Sequence, residues 1–263
     1  MLLLVLPIVV ASVAGDIVAA AGQSCSKLVA PGGVTVPCLD IPRCGAAVAQ
    51  VSNFTVMSGG PNNGPAVPAI AAEHTSASVC WSPQGLQVNW TAVDANVVYN
   101  CSGTTQQCCH DQVWQHDALE FYMSAGLNAS WNGQHHNVTE VDGGARGGFW
   151  AGFINNSGYE PTMPTKLIPC ATSGLSWAPS IDSAGFAAKL HVPWSLLPGA
   201  PAASGLRGSV WRLNFYRWDH GLAGGGGNAS AWSVTYCDRD KGHATGGCNG
   251  EHVPKYFGVG LLV

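Results

Sequence analysis

Gly185-Phe-Ala-Ala-Lys-Leu-His-Val-Pro-Trp194 decides the fold class. Phe186, Ala188, Leu190 and Val192 alternate with Ala187, Lys189 and His191, so the large apolar side chains share one face of an extended chain. An amphipathic helix would instead repeat its apolar residues every three to four positions. Pro193 has no N–H to give to a ladder and should end the strand. Leu86, Val88, Trp90 and Ala92 repeat the same alternation against Gln87, Asn89, Thr91 and Val93. That strand follows Ser78–Trp81 across the turn signal Ser82-Pro-Gln-Gly85.

Val210–Asp219 carries the pattern a third time. Trp211, Leu213 and Phe215 form a core face, while Arg212, Asn214, Tyr216 and Trp218 form the other. Further strands are predicted at 118–123, 137–141, 148–154 and 256–263. The segment 42–54 suits a turn or short helix leading into a strand, and 58–68 is a loop rich in Gly, Pro and Asn. No internal repeat and no amphipathic helix longer than two turns is present. With 34 Gly and 16 Pro punctuating short segments, the expected fold is all-β: an antiparallel two-sheet β-sandwich, jelly-roll-like and stapled by disulfides.

Only 10% of the residues are charged and the formal net charge is −4, so no basic surface exists to grip a phosphate backbone; nucleic acid is excluded as a partner. Met1–Val10 is an apolar run leading into small residues, the pattern of a secretory signal with cleavage after Gly15 or near Ala21. Asp16 interrupts it well short of the ~20 residues that span a bilayer. The expected organisation is a leader at 1–21, an irregular lead at 22–36 and a sandwich at 37–263. The mature chain is expected to be secreted or at the cell surface, without membrane insertion.

Ten cysteines follow the leader, an even number that suits up to five disulfides of open connectivity, with Cys237 and Cys248 one expected staple. No paired CxxC motif supports zinc. Seven Asn residues begin N-x-S/T sequons: Asn53, Asn89, Asn100, Asn128, Asn137, Asn155 and Asn228, where chance predicts about two.

The Tyr216/Trp218 face mixes flat rings with hydrogen-bonding groups, as sugar sites do, and equally as an ordinary outer sheet face does. The ten tryptophans are consistent with an aromatic binding face. Asp117 and Glu120 are three apart, so on a strand they point to opposite faces and do not form a general acid and base pair. Asp117 should cap a turn or hold a cation, and Glu120 should face a ligand. Arg217 alternates away from Tyr216 and Trp218, towards a buried ion pair. The nine histidines include no HxH or HxxxH spacing, so metal ligation by them is not expected, and no Met is paired with a His for haem.

Five ordered segments resemble the family 9 carbohydrate-binding modules. They are Val79–Asp94, a tryptophan strand, turn and apolar strand ending in Asp; Val113-Trp-Gln-His-Asp-Ala-Leu-Glu-Phe121; Phe186–Trp194; Trp211–Asp219; and His252-Val-Pro-Lys-Tyr-Phe-Gly-Val-Gly-Leu-Leu262. The resemblance covers roughly 37–263. It implies a β-sandwich that binds polysaccharide or oligosaccharide ends without catalysis, often beside a glycoside hydrolase. It also implies that Trp114 is one wall of a tryptophan clamp and that Glu120, Tyr216, Trp218 and Asp219 supply contacts; no cofactor is expected beyond the structural calcium that family members can carry, for which no ligands are readable here. The family's second tryptophan has Glu251 and His252 in its place here. Either His252 or Trp218 takes over that wall, or the ligand differs, or binding has been lost.

Overall fold

The computed structural model describes residues 25, 36–45, 47–56, 73–99, 101, 108–126, 136–156, 165–171, 173–221, 228–235 and 256–263. The expected leader, His252 and the Cys237/Cys248 pair lie outside the described residues. Among these residues fourteen strands run in chain order: β1 Cys38–Ile41, β2 Ala49–Val51, β3 Thr55–Val56, β4 Thr75–Trp81, β5 Gly85–Val93, β6 Ala118–Ala125, β7 His136–Gly144, β8 Phe149–Asn156, β9 Thr165–Leu167, β10 Ser176–Asp182, β11 Gly185–Pro193, β12 Val210–Asp219, β13 Asn228–Ala231 and β14 Gly258–Leu262. Among the described residues the remaining elements are short 3₁₀ turns, and no helix is long and apolar enough to cross a membrane.

The strands form two sheets. The smaller has five strands in the order β10-β11-β5-β4-β2, and the larger has nine, along β1-β14-β12-β6-β7-β8-β9 with β13 on β12 and β3 on β13. All pairings are antiparallel except β1 with β14, which is parallel. The β4–β5 hairpin closes through Ser82, whose N–H donates to Gly85 O at 2.9 Å, as the Pro-Gln turn predicts.

The core lies between the sheets. Leu86, Val88, Trp90 and Ala92 of β5 and Phe186, Ala188, Leu190 and Val192 of β11 are buried there, against Phe121 of β6 and Trp211, Leu213 and Phe215 of β12. Trp90 meets Phe215 edge to face at 5.3 Å. Trp177 of β10 lies across the gap on Gly143 of β7, and its Nε1 donates to Gly144 O at 3.0 Å. A Cβ at Gly143 would stand 2.1 Å from the indole, so only glycine admits this ring.

The tryptophan count therefore reads differently in three dimensions. Trp81, Trp90, Trp177, Trp194 and Trp211 are buried core, and Trp232 packs on that core half-buried. Four of the five are tied by indole donors: Trp177 to Gly144 O, Trp81 to Val263 O, Trp194 to Ser82 O and Trp211 to Ser209 Oγ. Most of the aromatic content expected on a binding face holds the sheets together instead. Four disulfides join described residues, Cys25–Cys38, Cys44–Cys80, Cys101–Cys108 and Cys109–Cys170.

Candidate functional site

The larger sheet carries a second polar face, away from the core. Register sets its rows: Tyr216 beside Glu120 beside Asp142 beside Trp150, and Asn214 beside Tyr122 beside Glu140. The pattern of β12 fixes this, because each residue of Arg212, Asn214, Tyr216 and Trp218 must fall opposite the core-facing Trp211, Leu213 and Phe215.

This face is not the open platform that the sequence suggests. Tyr216 is 0% exposed, Glu120 3%, Tyr122 1%, Asn214 0% and Glu140 6%. Residues 232–235 cover it. Asn214 Nδ2 donates to Ser233 O at 2.7 Å, and its Oδ1 accepts from Ser233 N at 3.0 Å, as a peptide group would. The hydroxyls of Tyr216 and Thr235 lie 3.2 Å apart, and Phe257 packs on Tyr122 at 5.7 Å. The reason is energetic: two tyrosines with aliphatic neighbours form a second apolar cluster with Val138, Ile154 and Ala231, and its burial favours a cover. Within it the Tyr122 hydroxyl donates to Glu140 Oε1 at 2.6 Å and lies 3.2 Å from Glu120 Oε2. The structure thus brings two carboxylates to one hydroxyl, a convergence that needed the β6–β7 register to be seen.

Asp219 falls on the other face, with Arg217. The guanidinium is buried between the sheets, with NH2 at 2.8 Å from Glu73 Oε2, 3.1 Å from Asp94 Oδ2 and 3.2 Å from Asp219 Oδ2. Its NH1 donates to Val93 O at 2.8 Å. The buried ion pair expected at Arg217 is present, and Asp219 belongs to it. Burial, together with a carboxyl contact and the charges of Glu73 and Asp94, pushes the Asp219 carboxyl up to about 7 against the pull of Arg217. Burial likewise raises Asp94. The three carboxylates do not fit calcium, because the guanidinium already stands among their oxygens and supplies the cation. The other close group, Cys109, His110 and Cys170, is no metal centre, since its two sulfurs form a disulfide.

The solvent-facing part of the site lies at the end of this sheet. Buried Val113 anchors a 3₁₀ turn, Val113–Gln115, and throws Trp114 outward to 36% exposure. Asp117 does not cap this turn; it joins two other segments, its Oδ2 accepting from Val98 N and its Oδ1 from His220 N at 2.6 Å. A ring nitrogen of His220 lies 3.0 Å from Trp114 O, and the His220 ring stacks on half-buried Trp218 at 6.3 Å. Trp114 and Trp218 thus sit at one end of the sheet, linked through His220. The ring partner of Trp114 is Trp150 of β8, edge to face at 6.1 Å and 84°. The sequence reading of 148–154 as a strand did not single out Trp150. Its signal was the alternation within β8, which puts Trp150 on the same face as Asp142 and Glu120 once the register is known.

No family model and no curated protein matches the chain. Solved structures do. A proposed carbohydrate-binding protein from Bacteroides uniformis ATCC 8492 superposes with a TM-score of 0.52 at 14% identity, over 73% of this chain and 79% of that one. A family 9 carbohydrate-binding module from Caldicellulosiruptor kristjanssonii solved with cellotriose gives 0.47 at 11% identity, over 81% and 82%. The module of that organism solved with glucose gives 0.45 at 12%, over 91% and 93%. At these identities the likeness is one of fold: the chain is built as the Bacteroides protein is built, as a two-sheet β-sandwich.

Proposed function

We propose that the chain is an exported, glycosylated module that binds polysaccharide or oligosaccharide without catalysis, through aromatic stacking at Trp114. One observation carries this reading: the exposed Trp114 indole is set against Trp150 at the solvent-facing end of the larger sheet. A rigid, partly exposed ring stacks on the C–H face of a pyranose. The fold shared with the Bacteroides protein supports it. Four disulfides and the exposed sequon residues Asn53 and Asn89 support export and a place outside the cell or on its surface. The non-catalytic reading is supported by Glu120 and Glu140, which are buried around the Tyr122 hydroxyl and not set on an open cleft.

Isothermal titration against gluco-, xylo- and manno-oligosaccharides tests the reading. Saturable binding to at least one is expected, weakened about tenfold by Trp114→Ala and similarly by Trp150→Ala. A second reading, a cell-surface or structural protein without sugar affinity, is favoured by the burial of Glu120 and Tyr216. No binding by the wild-type protein to any glycan of a broad array would establish it and end the first.

A further inference from the structure

The recess beside Trp114 contains a cation that the proposed site does not use. Tyr99, Val113, His116, Asp117 and Arg146 are among the residues that line it, and Val113 and His116 flank Trp114 in the chain. Arg146 is the exposed residue of an otherwise buried β7–β8 turn, with its guanidinium over the Tyr99 ring at 4.6 Å. Among the described residues no carboxylate lies within salt-bridge distance of it. Asp117, the acid of the recess, already accepts two backbone N–H groups.

Stacking on a ring occupies the flat face of a guanidinium and leaves its in-plane N–H donors directed outward, in the fork that matches a carboxylate or sulfate. Tyr99 thus holds Arg146 ready for an anion and lowers the entropy lost on binding one. The recess has room for about one water molecule, so an anion meets the exposed Arg146 at its mouth and not inside it. Selection by one guanidinium is notable on a chain with 11 cationic and 15 acidic side chains, whose overall field repels anions.

We infer that the saccharide is acidic: a sugar ring stacks on Trp114 while its carboxylate or sulfate pairs with Arg146 at the mouth of the recess. This rests on the carbohydrate-binding reading and specifies its ligand class. The test is titration of the full-length protein with xylotetraose, with the same backbone carrying one glucuronic acid branch, with oligogalacturonate and with a sulfated oligosaccharide of equal length. An acidic probe should bind about tenfold more tightly than its neutral counterpart at 50 mM salt, with the advantage shrinking in high salt. Comparing the uronate and sulfate arms identifies the anion. In Arg146→Gln the acid-to-neutral affinity ratio should fall to about one, and Arg146→Lys should restore part of it. Equal affinity for neutral and acidic probes in the wild-type protein, or a preference that survives in a folded Arg146→Gln protein, overturns the inference and leaves carbohydrate binding standing. Failure of every probe, neutral and acidic, sinks both.

Discussion

The two sheets bury their surfaces differently. In the five-stranded sheet, β5 alternates cleanly: Leu86, Val88, Trp90 and Ala92 are buried, whereas Gln87, Asn89, Thr91 and Val93 are exposed. In the nine-stranded sheet, β12 is buried at nine of ten positions and half-buried at Trp218. One sheet has a dry and a wet face, and the other is dry on both faces along its middle strands β6, β7 and β12, the second face lined by Arg212, Asn214, Glu120 and Glu140. A polar side chain in the first is therefore a solvated surface group. In the second it is a structural part whose partners must be supplied by the protein.

This contrast sets an order of expected effects. The largest is Arg217→Met. It removes the cation shared by Glu73, Asp94 and Asp219 and leaves buried carboxylates unpaired, so about 3–5 kcal/mol of stability should be lost in urea unfolding. A loss under about 1 kcal/mol would mean that the guanidinium is not the clamp between the sheets. Gly143→Ala comes next. The new methyl collides with the Trp177 ring, and a loss of about 1–3 kcal/mol is expected, relieved in the double variant with Trp177→Phe.

The third effect is a slope with pH. The Asp219 carboxyl rises from 3.8 to about 7 in the folded chain, so between those values the folded state holds a proton that the unfolded state has released. The contribution is fully present below pH 4 and is lost as pH rises through 7. Thermal melts should show stability falling across that window, and Asp219→Asn should flatten the fall. A slope unchanged in the variant would show that Asp219 does not hold the proton. The smallest effect belongs to the wet face of β5: Thr91→Ala should move stability by under about 0.5 kcal/mol. A large loss there would erase the distinction between the sheets.

Legibility followed the same division. The bounds of β11 and β12 were readable within a residue, and the core faces of β5, β11 and β12 followed from alternation alone. Strand β10 was not, since Ser176-Trp-Ala-Pro-Ser-Ile-Asp182 carries a proline that disqualifies a central strand. It is an edge strand, where Pro179 is tolerated beside Ala188. Strand β13, Asn-Ala-Ser-Ala, has no large side chain and gains its place from Tyr216 and Trp218 across the ladder. The ion pair at Arg217 followed from parity within one strand. The cover over Tyr216 did not, because it depends on residues 232–235 folding back, a contact that no local pattern encodes. Trp150 was missed for a related reason: its ring partner lies 36 positions away, in the 3₁₀ turn Val113–Gln115.

The parallel pairing of β1 with β14 sets the order in which the molecule can be completed. Leu39 stands beside Gly260, so the first strand must wait as an unsatisfied edge until the last has been made. A chain that emerges from its N-terminus during synthesis can close the small sheet early, through the β4–β5 and β10–β11 hairpins. The large sheet is finished only at the end, and a chain stopped before Gly258 would leave β1 and one flank of β12 open to pairing with other molecules.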